Sequence, residues 1–361
     1  MKRIAVLVLI LSLLLSGCSC SKDPTNTSEP TASTAESTQE TTQEATKPTP
    51  GESGTYRHPL TGMPLDAPWS GQVTAVVINN LKAAMPQHGI SQADIFYEVE
   101  VEGDITRCLA IFTDLSSVSV IGPIRSARTY YNSLAVSYDA PLVHCGGSPG
   151  LALAGRYGAT ADTIANWEHI DQADNGKYFY RDKDRQNSGY SYEHTLFTKG
   201  ELLQQAMDAK GYNTPTDKTF GLQFDDSVTL KGDNAEEIKV KFKSGKVTTF
   251  VYSESTQNYK MIQHGKDNVD GNTGNVVTFK NVIAIYTNQW YHSDGTHKFY
   301  DTIGSGKGYA AINGKIVPIL WSRESLRSPY TYTLEDGTPL ILEAGNSYIA
   351  LVGIKHEIAY K

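Results

Sequence analysis

Residues able to do chemistry gather in the first half of the chain. Gly146-Gly147-Ser148-Pro149-Gly150 has the G-x-S-x-G spacing of a serine-hydrolase nucleophile elbow, with His144 upstream and Asp139 or Asp162 as carboxylates. That chemistry needs the residue after the serine to donate its backbone N–H to an oxyanion, and Pro149 has none. Ser148 as a helix cap with Pro149 in the first turn explains the same letters. The glycines also permit close backbone approach at a helix start, so Gly146, Gly147 and Ser148 read as a candidate anion site. Arg125 and Arg128 stand three apart in Gly122-Pro123-Ile124-Arg125-Ser126-Ala127-Arg128. Read as a turn entering a helix, this segment puts both on one face, and guanidinium groups suit forked contacts with carboxylate or phosphate. Structural ion pairs with Asp94, Glu98 or Glu102 are the competing reading. Arg181 and Asp182 belong to a charged, aromatic stretch from Tyr178 to Arg185. Asp182, Asp184, Gln186 and Glu193 have EF-hand-like spacing, but Asn187 replaces the glycine of the turn and Lys183 and Arg185 crowd the charges. Tyr178, Tyr180, Tyr190 and Tyr192 offer rings to stack on sugars or a partner. His292 and His297 lack a third ligand, so neither a metal nor another cofactor is expected.

The elements that must position these groups follow from the pattern. Thr74–Asn79 (TAVVIN) is a continuous apolar run suited to a buried strand. Asp94–Val101 and Ile105–Thr113 read as a hairpin around Glu102-Gly103-Asp104. Arg128–Tyr138, Pro149–Tyr157 and Leu202–Lys210 read as helices, the last stopped by Gly211, with Pro141–Cys145 a short strand. After Asn213 the helical signal ends, and short strands punctuated by Gly, Asn or Asp follow to the end of the chain. The expected fold class is α+β. A mixed α/β domain over residues 57–220 precedes a mostly β domain over residues 221–361. Cys108 and Cys145 are the cysteines of this body, and either a disulfide or two buried free thiols fits their context.

The amino-terminal residues give an address. Lys2 and Arg3 precede an apolar run from Ile4 to Leu15, too short to cross a bilayer but the layout of a secretory signal. Leu15-Ser16-Gly17-Cys18 resembles the lipobox of bacterial lipoproteins. That resemblance implies removal of residues 1–17, lipidation of Cys18 and anchoring in the cell membrane on its extracytoplasmic side. Residues 18–56 are rich in Ser, Thr, Glu and Pro, with Lys22 and Lys47 against six acids. Such a segment is expected to stay disordered, a tether reaching roughly 30–40 Å as a coil. The chain carries −7 overall and has no strongly basic segment, which argues against nucleic acid as a partner.

Much of residues 58–361 resembles the YerB-like lipoproteins, a two-domain family with no established molecular function. The matching motifs include Pro59-Leu60-Thr61-Gly62, Pro86-Gln87-x-Gly89, Ala93-Asp94-Ile95 with Tyr97-Glu98, and Glu102-Gly103 with Ile105-Thr106-Arg107. They continue with Gly122 to Arg128, Gly146-Gly147-Ser148 and Arg181-Asp182-x-x-Arg185. The second half matches at Gly304-x-Gly306, Asn313-Gly314-Lys315, Trp321, Asp336-Gly337 and Gly345, and the chain departs from the pattern at Met85 and Thr195.

Three function classes remain. The first is a non-catalytic envelope lipoprotein binding a membrane or cell-wall protein or polymer. The second is an enzyme on a wall glycan or phosphate-containing polymer, using Glu98 or Glu102 with Asp182 as acid and base. The third is a solute-binding lipoprotein. The first is the expected function.

Overall fold

The computed structural model describes residues 56–103, 105–147, 167–173, 175–216, 218–242, 245–291 and 295–361. The signal segment, Cys18, the tether to residue 55, Ser148, the helix expected over Pro149–Tyr157 and His292 lie outside these residues. The described residues are mostly strand, with few helices.

β1 (Thr74–Asn79) is buried along its whole length. Val76 and Ile78 enter one core while Ala75 and Val77 enter the other. An apolar run without alternation is what a strand covered on both faces requires. β2 (Ile95–Glu100) and β3 (Thr106–Phe112) are buried throughout in the same way and pair antiparallel. α1 (Thr129–Ser137) is followed by β4 (Leu142–His144) and β5 (His169–Asp171), which continue the sheet parallel to β1. α2 (Lys183–Asn187) is a short helix, and α3 (Gly200–Lys210) buries Leu203, Ala206 and Met207 at helical spacing. Gly211 ends α3 in the left-handed conformation, φ +71°.

The second half supplies β6 (Glu237–Lys241), β7 (Val247–Ser253), β8 (Asn258–Gln263), β9 (Asn281–Thr287), β10 (Gly304–Ile312), β11 (Lys315–Arg323), β12 (Ser347–Gly353) and β13 (Glu357–Tyr360). An 11-stranded sheet runs from Asp233–Asn234 through β11, β10, β9, β12, β2, β3, β1 and β4 to β5, with Thr331–Leu334 added on β11. A 6-stranded sheet holds Lys266–Asp267, β8, β7, β6 and β13, with Thr278–Phe279 on β8. The boundary expected near residue 220 falls after α3, and the large sheet crosses it. β12 pairs parallel with β2 from Ser347↔Ile95 to Leu351↔Val99.

The smaller sheet covers one face of the larger. Phe250 on β7 lies 4.5 Å from Tyr348 on β12, and Phe279 stacks on Phe96 at 6.1 Å, centroid to centroid. α1 covers the other face with Tyr130, Tyr131 and Leu134. A buried carboxylate joins the sheets. Glu98 on β2 accepts from Asn80 (2.9 Å) and Thr106 (2.6 Å) on one oxygen, and from Thr248 of β7 and Tyr348 of β12 (2.8 Å each) on the other. With four donors, this carboxylate is satisfied without water. The strand directions place the carboxyl ends of β1, β2, β4, β5, β9 and β12 along one edge of the large sheet. Ligand sites of sheets with parallel strands form at such an edge.

Candidate functional site

The segment from Gly122 to Arg128 crosses this edge as an extended strap. Arg125 N–H donates to Val77 O, Cys145 N–H to Arg125 O, and Ala127 N–H to Gly146 O. These backbone bonds override the expected turn into a helix: α1 begins only at Thr129, with Arg128 as an extended N-cap residue. In extended chain, residues three apart face opposite sides. Arg125 and Arg128 therefore do not share a face, and each has its own acid. Arg128 is forked onto Glu102, Nε at 3.0 Å, with both side chains largely buried. Its cation at a helix start is unfavourable for the helix dipole, and Glu102 offsets that. Arg128 is thereby a structural residue. Arg125 pairs with the half-exposed Glu193 at 2.9 Å.

Arg125 has other cations for company. Arg107, at the start of β3, is 5% exposed and donates to Ser126 O at 3.0 Å. The Nε atoms of Arg107 and Arg125 are both buried without a hydrogen-bond partner. Arg181 donates to Tyr192 O at 2.6 Å and lies 3.8 Å over the Tyr192 ring, which is exposed. Burial lowers the Arg107 pKa, and Arg125 adds to that effect. Burial pushes the half-buried Cys145 thiol up, while the charges of Arg181 and Arg125 both work against that rise. Glu193 is held below the usual carboxylate range: burial opposes this, but the Arg125 hydrogen bond and charge prevail. Glu193 is ion-paired with Arg125. Gly146, in the left-handed region at φ +68°, and the exposed Gly147 close the edge beside Cys145.

The other predicted residues are placed plainly. Asp182 caps α2, accepting from Arg185 N–H at 3.0 Å. The EF-hand-like spacing thus folds as a helix and not as a cation loop. Arg185 is the partner that the motif undervalued. It donates to Ala84 O at 2.8 Å, His194 O at 3.2 Å and Pro86 O, with its guanidinium between the Tyr190 and Phe197 rings. It fixes the loop from Lys82 to Pro86. Ser148 lies outside the described residues, but His144 is not poised as a base. Its Nδ1 donates to Gly146 O at 2.8 Å, and Nε2 meets His169 Nδ1 at 2.9 Å. Cys108 and Cys145 are free thiols. Sequence reasoning noted Arg107 only within the Ile105-Thr106-Arg107 motif and not as a site residue. A further signal is an arginine inside an otherwise apolar strand run.

Two family models match this chain, both described as "Protein of unknown function (DUF3048)": the N-terminal domain over residues 60–213 and the C-terminal domain over residues 238–349. The chain is 29% identical over 308 residues to "Putative lipoprotein YerB" of Bacillus subtilis (strain 168), covering 81% of this chain and 88% of that protein. The crystal structure of YerB from Bacillus subtilis superposes with a TM-score of 0.70 at 26% identity, over 84% of this chain and 99% of that one. The Gly122–Arg128 strap, the Gly146–Gly147 turn and Arg181 all fall within the N-terminal family segment. The chain belongs to the DUF3048 family, with both of its domains present in order.

Proposed function

We propose that this chain is a membrane-anchored lipoprotein on the extracytoplasmic face of the cell envelope, acting as a non-catalytic binding protein for an anionic wall polymer or an acidic surface on a wall protein. The observation that carries the reading is the gathering of Arg107, Arg125 and Arg181 at the carboxyl edge of parallel strands, with Glu193 ion-paired to Arg125. Guanidinium groups with unused donors in a partly desolvated setting favour carboxylate or phosphate partners. Glu193 then acts as a placeholder that an incoming anion displaces from Arg125.

The enzyme alternative fares less well because its acids are committed. Glu98 is saturated by four donors, Glu102 is forked by Arg128, and Asp182 caps a helix. The solute-receptor alternative needs two lobes that close on a hinge, whereas β12 and β2 pair within one sheet. Crosslinking of the tethered protein in cells, followed by isolation, tests the reading. The expected product is an anionic wall polymer or a wall protein bound through an acidic surface, lost in Arg125→Gln. Recovery that is indifferent to Arg125→Gln contradicts it.

A further inference from the structure

A cavity of about 430 Å³ opens where the loop fixed by Arg185 meets the tip of the β8 hairpin. One wall carries Lys82 and Tyr190, the other Gln263, His264, Lys266 and Asn268. The cavity shares no lining residue with the arginine edge.

Its walls have a consistent chemistry. Tyr190 is held by its hydroxyl, which donates to Met85 O at 3.0 Å, so its ring is a fixed platform. Lys82 and Lys266 are exposed, and neither makes an ion pair or side-chain hydrogen bond among the described residues. The acid in the lining, Asp267, is already held by Lys260 at 3.1 Å. Gln263 and Asn268 are buried; Asn268 spends its amide donors on Gln87 Oε1 (3.3 Å) and the Met261 sulfur (3.5 Å), whereas Gln263 donates to that sulfur at 3.6 Å. A thioether is a weak acceptor and an amide has two N–H groups, so Gln263 retains capacity for a better oxygen. His264 sits in the left-handed region at φ +52°, a conformation that a non-glycine residue holds at a cost. It reaches across the seam, Nε2 donating to Asn80 O at 3.2 Å, which leaves Nδ1 as an acceptor. Burial pushes the His264 pKa down to about 4, so the ring is neutral and Nδ1 keeps that role near neutral pH.

A fixed ring, an amide donor, a neutral imidazole acceptor and two unpaired ammonium groups around one cavity describe a particular ligand. We propose that this seam binds a sugar unit that carries an anionic group, its ring face on Tyr190, its hydroxyls on Gln263 and His264, and its anion between Lys82 and Lys266. The volume falls in the range of small-molecule sites, which occur preferentially at such junctions. This second site goes beyond the arginine edge and does not depend on it.

Calorimetric titration of the full mature chain in detergent tests it, with glucose 6-phosphate, glucuronic acid, glucose and inorganic phosphate as probes. At least one acidic sugar is expected to bind about 10-fold tighter than glucose, and the better of the two identifies the acidic group. The Lys82→Gln/Lys266→Gln double variant should reduce that affinity to the glucose level without lowering Tm, since both side chains are exposed. Undiminished binding in the double variant places the sugar elsewhere and overturns the proposal. So does binding of inorganic phosphate as tight as that of glucose 6-phosphate, or no binding by either acidic sugar.

Discussion

Asp94 shows how much one residue in this protein can decide. Its carboxylate accepts both the N–H and the hydroxyl of Thr113, each at 2.7 Å, and His58 Nε2 approaches the same hydroxyl at 3.0 Å. The Thr113 hydroxyl is spent as a donor to Asp94, so His58 must donate to it. That leaves His58 Nδ1 to accept from Thr61, which fixes the tautomer. Burial raises the Asp94 pKa to about 6, against the pull of these hydrogen bonds. Between about pH 4 and 6 the folded chain therefore holds a proton that the unfolded chain has released, and stability falls as pH rises through that window. Relative to Asp94→Asn, the native chain should lose on the order of 2–3 kcal/mol between pH 4 and 7. Urea denaturation across that range checks it, and parallel curves for the two proteins would contradict it. The sequence displayed Asp94 and Pro59-Leu60-Thr61-Gly62 as motifs, but their linkage is a tertiary fact. Gly62 shows the same thing: at φ +65°, an added Cβ would lie 2.3 Å from Phe224, far along the chain.

Elements were legible where burial on both faces left a single reading. β1 has the bounds that TAVVIN indicated, and α3 stops at the glycine that marked its end. The Gly122–Arg128 strap misled because its conformation is set by the backbone of β1 and β4, which local spacing does not record. β10 begins five residues before its apolar run because Gly304-Ser305-Gly306-Lys307 reads as a loop. There the glycine serves packing: a Cβ on Gly306 would approach Trp321 Nε1 at 2.7 Å and Tyr286 O at 2.9 Å. The same limit hid the role of Glu98, one of two acids in β2, which turns out to hold β7 and β12 onto β2. Glu98→Gln replaces one acceptor oxygen with a donor facing donors, at an expected cost of about 2–4 kcal/mol. Because β2 and β12 share a sheet, the loss should lower Tm of one cooperative transition seen by fluorescence and circular dichroism alike. Two separated transitions in the native chain would contradict this description of the joint.

At the scale of the whole molecule, the charge of −7 and the basic edge belong to different tasks. Under the proposed function the six acids of residues 18–56 lie in the tether near the membrane, while the three arginines stand on the body. Lipidation at Cys18 is what makes the body a membrane protein under the proposed function. Cys18→Ser should move the chain from the membrane pellet to the soluble fraction and abolish incorporation of labelled palmitate. Persistence in the pellet would require another anchor. Under the proposed function the arginine edge holds an anion, which equilibrium binding of the mature chain to a purified phosphate-containing wall polymer tests. Affinity should fall steeply with salt, and the Arg125→Gln/Arg181→Gln variant should bind ~10- to 100-fold more weakly at unchanged Tm. Equal binding by the native chain and this variant would contradict it.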